Sequence, residues 1–446
     1  MITDNEIQLA LGALETARAA GADKARISLS KMTEDLVATL DGEVDKVTHC
    51  ADRSLSIAIF ADGRYGSFST NKLDVDSLSG FITRAVSTVR MLAPDPCRQL
   101  PSPDRCCTDA VSGRELGLVD ESYSCITPEQ RVRMALEAAT FGKTPDNERY
   151  TLISEEGEYS DSEYDLFLAD TEGLRCRHSE TTFDYGVEVT IEDRDGNKYS
   201  DYWWTAAPFH KDFDASDCGR TAIAKAAAQI GSEPCASGKY NMVVCSEVAS
   251  KMVSPILSAL NAYSIQQGNS FLADSMGRSI FPEGMTIVDQ PHLQGQTGSK
   301  LFDSEGVCTM DTTIIDKGVV KQYFVNTYMS AKLETAPTIE EPTRPRVMPW
   351  PKSGLDRYDL MKLCGSGIMV TEFNGGNSNS ATGDFSYGIS GQRFENGVPA
   401  GPVCEMLVTG NFITLWKDLI AVGDDCRSCM SKLIPTLAFA NVDFNG

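Results

Sequence analysis

The chain has 446 residues, of which 63 are acidic and 40 are basic, so its formal net charge at pH 7 is -23. A charge of this size and sign repels phosphate backbones, and we expect no direct contact with nucleic acid. No apolar run approaches the roughly 20 residues of a membrane span, and the sequence MITDNEIQLALG lacks the basic start of a signal peptide. We therefore expect a cytoplasmic protein that does not contact a membrane, with its 14 scattered cysteines reduced.

Two segments of similar pattern make up the first half of the chain. Residues 1–91 contain a helical pattern, strand-like stretches with turn-forming Asp-Gly pairs and a second helical pattern. Residues 117–230 repeat this order, and the proline-containing connector 92–116 separates the two segments. We interpret the pair as an internal duplication of an α+β unit, with mixed or antiparallel sheets.

Residues 231–446 are predicted to form a C-terminal domain that is rich in sheet. Ser254 is the predicted N-cap of a helix, with Pro255 at the first helical position and Gly268 beyond the far end. The predicted apolar face of this helix consists of Ile256, Leu257, Leu260 and Tyr263. The predicted hairpin turns are DKG (316–318) and ENG (395–397).

The stretch EFNGGNSNSATGDFSYG (372–388) is rich in glycine and asparagine. We interpret it as a long loop that needs positive φ angles. The same composition also suits a backbone surface that an extended peptide can approach closely. The candidate peptide-binding residues are Asn374, Gly375, Gly376, Gly383 and Asp384.

No arrangement of side chains in the sequence predicts a metal centre or a nucleophile. A metal hydrolase needs imidazoles that converge on one ion, commonly two from one helix face, but no two of the four histidines share a helix turn. The four are His49, His178, His210 and His292. Cys426 and Cys429 have ligand spacing, yet no second pair completes a four-ligand site. Asp303 and Glu305 flank a turn, for which we favour stabilisation by Asp303 over acid–base chemistry.

Several long blocks of the sequence resemble the TldD/PmbA family, and specifically its PmbA (TldE) branch, historically named modulator of DNA gyrase. The blocks are NSFLADSMGRSIFPEGMTIVDQPHLQGQTGSKLFDSEGVCT (269–309), GVVKQYFVNTYMSAKL (318–333), TGDFSYGISGQRFENG (382–397) and VTGNFITLWKDLIAVGDD (408–425). The stretches DGEVDKV and DGRYGSFST are similar to the opening segment of the family. Because several blocks match in order and spacing, the resemblance is more specific than a single short motif.

The resemblance implies a cytoplasmic heterodimeric metalloprotease that cleaves peptides or unfolded polypeptides. In the family, the TldD-type subunit carries a HExxxH helix that binds the metal, and the TldE-type subunit lacks it. In this chain the corresponding region is 254–267, which contains no histidine in any register. The resemblance therefore implies a subunit with no catalytic residue, metal or cofactor of its own, and zinc is expected on a TldD-type partner.

Three functions remain open from the sequence. The favoured one is a non-catalytic TldE-type subunit that supplies peptide-binding surface to a HExxxH-bearing partner. A second is a stand-alone hydrolase with an unrecognised site, such as His292 with Asp289 and Asp303. A third is a regulatory binding protein that acts on a topoisomerase or a toxin–antitoxin system without proteolysis. A homodimer is a further option, because a surface shaped for a related subunit can accept a second copy.

Overall fold

The computed structural model describes residues 1–144 and 147–446, which divide into two compact units. The first unit comprises Met1–Ile223, His292–Thr309 and Asn326–Glu340, and the second comprises Ala224–Pro291, Met310–Val325 and Glu341–Gly446. Across the described ranges, every helix falls short of the length or the apolar character that crossing a membrane requires.

Residues 4–227 contain the same order of elements twice: a helix, three strands and a helix. The first segment consists of α1 (Asp4–Ala19), β1 (Lys24–Leu40), β2 (Glu43–Ala61), β3 (Arg64–Thr70) and α2 (Val75–Val89). The second consists of α3 (Pro128–Ala138), β4 (Tyr150–Asp170), β5 (Arg175–Asp193), β6 (Lys198–Ala207) and α4 (Cys218–Ala227). The duplicated α+β unit predicted from the sequence is confirmed.

The six strands of these segments form one antiparallel sheet in the order β3-β2-β1-β4-β5-β6. The first strands of the two segments, β1 and β4, pair continuously from Arg26↔Asp170 to Leu40↔Glu156. The repeats are therefore halves of one curved sheet, a half-barrel.

One face of this sheet is buried against α1 and α2. Along β1 the buried residues Ala25, Ile27 and Leu29 alternate with residues that are only partly buried, as expected for a strand with one covered face. The helical part of this core contains Ala10, Ala13, Leu14, Ala17, Leu78, Ile82, Ala85, Val86 and Val89. Each fully buried Leu or Ile stabilises the fold by about 1.5–3 kcal/mol relative to the exposed side chain.

The opposite face of the sheet is covered at one end only. There, a smaller apolar cluster joins the sheet to the connector after α2 and to the segment His292–Thr309. Its buried members are Cys107, Ala110, Leu168, Leu174, Cys176 and Phe302. Towards the other end of the same face, Glu156, Glu158 and Glu188 are exposed. The sheet thus has one fully packed face and one that is partly open.

The second unit contains two further sheets. Its elements are β7 (Gly238–Val244), α5 (Ser250–Ala259), α6 (Ala262–Gln266), β8 (Ile287–Asp289), β9 (Thr312–Asp316), β10 (Val319–Val320), β11 (Pro345–Val347), α8 (Arg357–Cys364), β12 (Gly367–Ser378), β13 (Asp384–Glu395), β14 (Val398–Asn411), α9 (Phe412–Lys417), β15 (Leu419–Val422) and β16 (Leu437–Asn445). The remaining helix, α7 (Thr327–Leu333), lies in the first unit. A C-terminal part rich in sheet, as predicted, is confirmed.

The larger sheet of the second unit closes on itself. Its order is β14-β13-β12-β7-β16-β15, and an additional pairing of β14 with β16 completes the ring. Phe394 and Trp416 are fully buried in this unit, and the ring of Trp416 packs edge-on against Phe439, with centroids 5.2 Å apart. Closure pairs the strand edges that an open sheet would expose.

Both predicted hairpin turns are confirmed. β9 and β10 are joined at Lys317-Gly318, and β13 and β14 are joined at Asn396-Gly397. All four turn residues have positive φ, with Asn396 at 51° and Gly397 at 74°. Two consecutive residues of this conformation match the twist of antiparallel strands, which is why Asn-Gly is a strong hairpin signal.

The prediction of a long loop at 372–388 is wrong. Most of this stretch belongs to β12 and β13, and only residues 379–383 connect them. Gly375 and Gly376 lie at a β-bulge with φ angles of 146° and 89°. A Cβ on Gly376 would lie 2.0 Å from the carbonyl oxygen of Ser386 on the neighbouring strand. The glycines therefore allow close strand pairing rather than a loop.

The predicted start of the helix at Ser254 is also wrong. Helix α5 begins at Ser250 after the N-cap Ala249, so Pro255 lies inside the helix. A turn at residues 246–249 leads into the helix. Because Pro255 has no backbone N–H, the carbonyl of Lys251 lacks its helical donor. The observed first helical residue, Ser250, therefore lies five residues before the predicted one, Pro255.

The predicted apolar face is correct only in its first three members. Ile256, Leu257 and Leu260 are buried, whereas the side chain of Tyr263 is 60% exposed. The helix breaks at Asn261, whose side-chain oxygen accepts the backbone N–H of Tyr263 at 2.9 Å and caps α6. Helical periodicity does not continue across this break, so Tyr263 does not share the face of α5.

A buried ion pair fixes α3 to the sheet, and breaking it should destabilise the first unit. Arg131 donates two hydrogen bonds to Asp161, at 2.7 and 2.9 Å, and the hydroxyl of Tyr159 donates a third at 2.8 Å. We expect Asp161→Ala to lower the free energy of unfolding by about 3–5 kcal/mol, because Arg131 would remain buried without its main partner. Urea denaturation measures this loss.

The matched control is the exposed pair of Arg133 and Glu137, whose side chains are 64% and 72% exposed. We expect Glu137→Ala to change the free energy of unfolding by less than about 0.5 kcal/mol. Equal effects of the two substitutions would show that the buried pair does not stabilise this unit.

Candidate functional site

Residues 254–267, where the family resemblance predicts the counterpart of a metal-binding helix, contain packing residues. They cover the second half of α5 and all of α6, and their sequence SPILSALNAYSIQQ contains no histidine, cysteine or carboxylate. Ile256 and Leu257 are buried, and the backbone carbonyl of Met252 accepts the indole N–H of Trp416 at 3.3 Å. The role of α5 visible here is to fill the core of the second unit.

All four histidines lie in the first unit, apart from α5. His49 Nδ1 is 2.8 Å from Asp35 Oδ1, and His178 Nε2 is 3.3 Å from Glu180 Oε2. His210 is exposed, and its Nε2 is 3.1 Å from the sulfur of Met134. Within residues 1–144 and 147–446, no three His, Cys, Asp or Glu side chains are grouped so that they could hold a metal ion.

The alternative set of Asp289, His292 and Asp303 has other hydrogen-bond partners. His292 Nε2 lies 2.8 Å from Thr309 Oγ1. The carboxylate of Asp289 accepts the backbone N–H groups of Thr343 and Arg344 at 2.8 and 2.6 Å. These contacts position loops and leave both carboxylate oxygens of Asp289 engaged with the backbone.

Asp303 stabilises a turn, as predicted. Its Oδ1 accepts the backbone N–H groups of Glu305 and Val307, at 2.9 and 3.0 Å, and its Oδ2 accepts that of Glu340 at 3.3 Å. Burial nevertheless raises the pKa of Asp303 to about 6, and the nearby carboxylate of Glu305 acts in the same direction. This raised pKa has a structural cause within the turn.

Cys426 and Cys429 are both free thiols that are partly buried. Burial raises the pKa of Cys426, which disfavours the thiolate that a metal ion or an oxidant would require. Neither thiol belongs to a potential metal-holding group in the described ranges.

The five candidate peptide-binding residues lie at one end of the hairpin formed by β12 and β13. Asn374 is exposed and donates to Ser390 Oγ at 3.1 Å, beside the bulge at Gly375 and Gly376. Gly383 and Asp384 lie in the connection and at the start of β13, where Asp384 accepts from Asn411 at 2.9 Å. The structure therefore places the five residues in two groups along the hairpin, at the bulge and at the connection, and their peptide binding stays a prediction.

Glycine is required at position 383 for two reasons. Its φ angle is 80°, and a Cβ would lie 3.0 Å from the ring of Phe271. That ring stacks against Phe412, with centroids 5.9 Å apart. The hairpin end is therefore held against an aromatic cluster rather than projecting freely.

The outer half of β12 has an open edge. Strand β7 pairs with β12 only over Gly367–Val370, whereas β13 pairs with it as far as Ser378. Among the strands of the described ranges, none pairs with the other side of residues 373–378. Backbone groups on such an edge can bond to an added strand.

No motif predicted a cavity of about 560 Å³ on the open face of the six-stranded sheet. Its lining is Ala38, Thr39, Leu40, Asp45, Glu156, Gly157, Glu158, Gly186, Val187, Glu188, Tyr202, Trp203 and Trp204. The available signal was the alternation of glutamates in EEGEYS, at positions 156 and 158, which places their side chains on one face of a strand.

Two family profiles match most of the chain. The PmbA/TldA metallopeptidase central domain matches residues 121–230, and the C-terminal domain of the same metallopeptidases matches residues 237–446. The chain belongs to the PmbA/TldD family. The family resemblance of the sequence blocks is thereby confirmed, and the chain is a member of a protease family.

Relatives of known structure and curated relatives of the family span nearly the whole chain. A candidate modulator of DNA gyrase from Bacteroides thetaiotaomicron VPI-5482 has a crystal structure that matches with a TM-score of 0.94 at 35% identity, over 100% of both chains. Metalloprotease PmbA from Escherichia coli O157:H7 is 27% identical over 431 residues, covering 94% of this chain and 92% of that protein. TldE from Thermococcus kodakarensis shares the fold, with a TM-score of 0.82 at 16% identity, over 98% of this chain and 100% of that one.

The raised pKa of Asp303 predicts a pH-dependent contribution to stability. The folded protein holds the proton more tightly than the unfolded chain, so this contribution is present at low pH and is lost as pH rises from about 4 to about 6. We expect Asp303→Asn to gain stability relative to wild type over this range, by at most about 3 kcal/mol. Urea denaturation at pH 4, 5, 6 and 7 measures the difference.

The control is Asp384→Asn, because hydrogen bonds from Asn411 and Thr382 lower the pKa of this exposed carboxyl. The contribution of Asp384 to the free energy of unfolding is present at neutral pH and is lost as pH falls. The difference in this free energy between Asp384→Asn and wild type should therefore change with pH in the opposite direction to that of Asp303→Asn. A difference between wild type and Asp303→Asn that is constant with pH would contradict the assignment.

Proposed function

We propose that this chain is the non-catalytic subunit of a metallopeptidase complex that acts on peptides or unfolded polypeptides. In this proposal a TldD-type subunit with a HExxxH helix holds zinc, and the present chain supplies peptide-binding surface. The complex would act in the cytoplasm, where its substrates are unfolded or unstructured chains. The proposal assigns the chain no catalytic residue and no metal of its own.

The composition of α5 and α6 carries this proposal. A zinc ion in a hydrolase needs imidazole, thiolate or carboxylate ligands from positions that converge. Here the corresponding helix offers only apolar and small polar side chains, and its apolar residues fill the core. The four histidines each contact another side chain of the first unit. A protease family member without local ligands therefore needs a partner for metal chemistry.

The open edge of β12 supports peptide binding. An extended peptide that adds to this edge would bond through its main chain, so the affinity would depend little on its sequence. The bulge at Gly375 and Gly376 keeps side chains away from the backbone at this point. Asn374, at the same bulge, is exposed and carries a side-chain amide that can bond to a peptide.

The central test compares the chain alone with the chain mixed with a HExxxH-bearing relative. We expect the purified chain to bind substoichiometric zinc by elemental analysis and to leave an unfolded peptide uncut. Mixing with the partner should give a complex by size-exclusion chromatography and cleavage that a chelator abolishes. The partner with its HExxxH glutamate replaced by glutamine is the negative control.

Other outcomes favour the alternatives. Stoichiometric zinc and cleavage by the lone chain would identify a stand-alone hydrolase and overturn the proposal. Stable association with a topoisomerase or an antitoxin, without cleavage in any mixture, would favour the regulatory protein. A homodimer that does not exchange subunits with the partner would also contradict the proposed complex.

The edge of β12 is tested with lysine, a residue that natural edge strands use to block strand addition. We expect the double variant Asn374→Lys and Asn377→Lys to raise the KM of the complex for an unfolded peptide about tenfold, equivalent to roughly 1.4 kcal/mol of lost binding. The kcat should change little, because the metal is on the partner. Peptidase kinetics measure both constants.

The matched control is Asn445→Lys on β16, whose last residues pair with β14. This exposed asparagine lies on a strand that is already paired at that position. We expect unchanged KM for the control and an unchanged elution volume for both complexes. Equal KM values for wild type and the edge variant would remove β12 from the peptide path.

A further inference from the structure

The open face of the six-stranded sheet presents two adjacent rows of side chains across four strands. Antiparallel register places residues of one row directly opposite each other, on the same face. One row is Ala38, Glu158, Gly186 and Trp204, and the next is Leu40, Glu156, Glu188 and Tyr202. All eight residues line the cavity of about 560 Å³. The cavity is therefore a property of the sheet register and is built from both repeats.

The shape of the cavity follows from the sizes of these side chains. Ala38 and Gly186 are small and form a low floor between larger neighbours. A Cβ on Gly186 would lie 3.8 Å from the Cβ of Trp204, so the glycine leaves open the space beside the indole. Trp204 and Tyr202 border the cavity on β6, and the tyrosine side chain is 50% exposed.

The negative charges of the cavity repel each other and lower the stability of the fold. Glu156 and Glu188 lie directly opposite each other on β4 and β5, and like charges in such a pair repel. Glu158 lies on the adjacent row, and Asp45 adds a fourth carboxylate from β2. Within the described chain, no basic side chain forms an ion pair with these glutamates. The nearest lysine in the register is Lys46, which lies on β2 opposite Ala38.

The negative potential extends along the same face. Asp184 lies on β5 opposite Ser160, in the row next to that of Glu158 and Gly186. Glu34, on β1, lies one row further along the same face. Burial and the carboxylate of Glu34 raise the pKa of Asp184 to about 6. Burial is the larger cause of this shift, and the contribution of Glu34 is the one that reflects negative charge on this face.

We propose that this cavity binds lysine and arginine side chains of an extended peptide, which makes basic polypeptides the preferred substrates of the proposed complex. Carboxylates pair with the cationic groups, and the faces of Trp204 and Tyr202 attract them through cation–π contacts. The inference rests on the proposed function, because it takes the peptide to be the substrate of that complex.

A bare metal ion does not fit the same site. The cavity carboxylates do not form a group that could hold a metal, within the residues that the structure describes. A volume of about 560 Å³ is far larger than an ion and suits several side chains. Aromatic walls favour a ligand with an organic cation rather than a hydrated ion.

A strand edge beside the cavity favours a peptide over a free polyamine. Strand β3 pairs with β2 only over Leu55–Ala61, so residues 43–54 of β2 pair with β1 alone in the described sheet. Asp45, from this part of β2, lines the cavity. A peptide that bonds to the edge with its backbone can thus place a basic side chain over Asp45, at the near side of the cavity.

The test measures binding by the chain alone, by fluorescence anisotropy at physiological salt. The probes are a fluorescein-labelled unfolded peptide that contains lysine and arginine, and two peptides of equal length in which glutamine or glutamate replaces them. We expect the basic peptide to bind at least about tenfold more tightly than the glutamine peptide. The triple variant Glu156→Gln, Glu158→Gln and Glu188→Gln should abolish this preference.

Two controls separate the cavity from general attraction to a chain of charge -23. The variant Glu15→Gln, Glu137→Gln and Glu283→Gln changes the net charge equally at exposed positions outside the cavity, and it should retain the preference. Tyr202→Leu keeps every charge and should weaken binding of the basic peptide about threefold. Because paired glutamates repel, the cavity triple variant should melt at a higher temperature than wild type without ligand, which also shows that it folds.

Three results would overturn the inference: equal affinity for the basic and glutamine peptides, equal losses in the two triple variants, or spermine binding as tightly as the basic peptide. The last would assign the cavity to small polycations. Failure of the proposed function is distinguishable. A chain that binds basic peptides but never supports cleavage by a partner would support the binding site in the cavity and contradict the peptidase complex. A complex that cleaves basic and acidic peptides equally would support the peptidase complex and contradict a preference for basic substrates.

Discussion

The pairing of β1 with β4 is the interaction on which the first unit depends. It joins two repeats of helix, three strands and helix into one antiparallel sheet, with continuous register from Arg26↔Asp170 to Leu40↔Glu156. The helices then cover one face, and the ion pair of Arg131 with Asp161 fixes α3 to the second repeat. Shifting this register by one residue would turn the glutamates of β4 towards the apolar face relative to β1, so register and surface charge are set together.

Local signals in the sequence predicted local structure well. Alternating apolar residues identified the strands of both repeats, and Asn396-Gly397 identified a hairpin through its positive φ angles. The same reasoning failed where one residue type serves two purposes. Gly375 and Gly376 indicated a loop, but they permit close pairing at a bulge. Pro255 indicated a helix start, but α5 begins at Ser250 and accommodates the proline at the cost of one hydrogen bond.

The two candidate sites differ in how far the sequence could predict them. The lack of metal ligands in α5 and α6 is a matter of residue types, which can be counted without a structure. The acidic cavity combines Leu40 with Tyr202, which meet only through the register of four strands. No local periodicity encodes such a meeting, and the alternation of Glu156 and Glu158 indicates only that they share a face.

Closure of the larger sheet in the second unit has a consequence for any chain that docks there. The inner half of β12 is locked between β7 and β13, and the ring that includes β14 and β16 prevents these strands from sliding. A guest strand on the outer half of β12 would take its alignment from this fixed frame, starting at the bulge beside Gly375. A shift of the guest strand by one residue would exchange the side chains that face each side of the sheet, whereas a shift by two residues would restore the pattern.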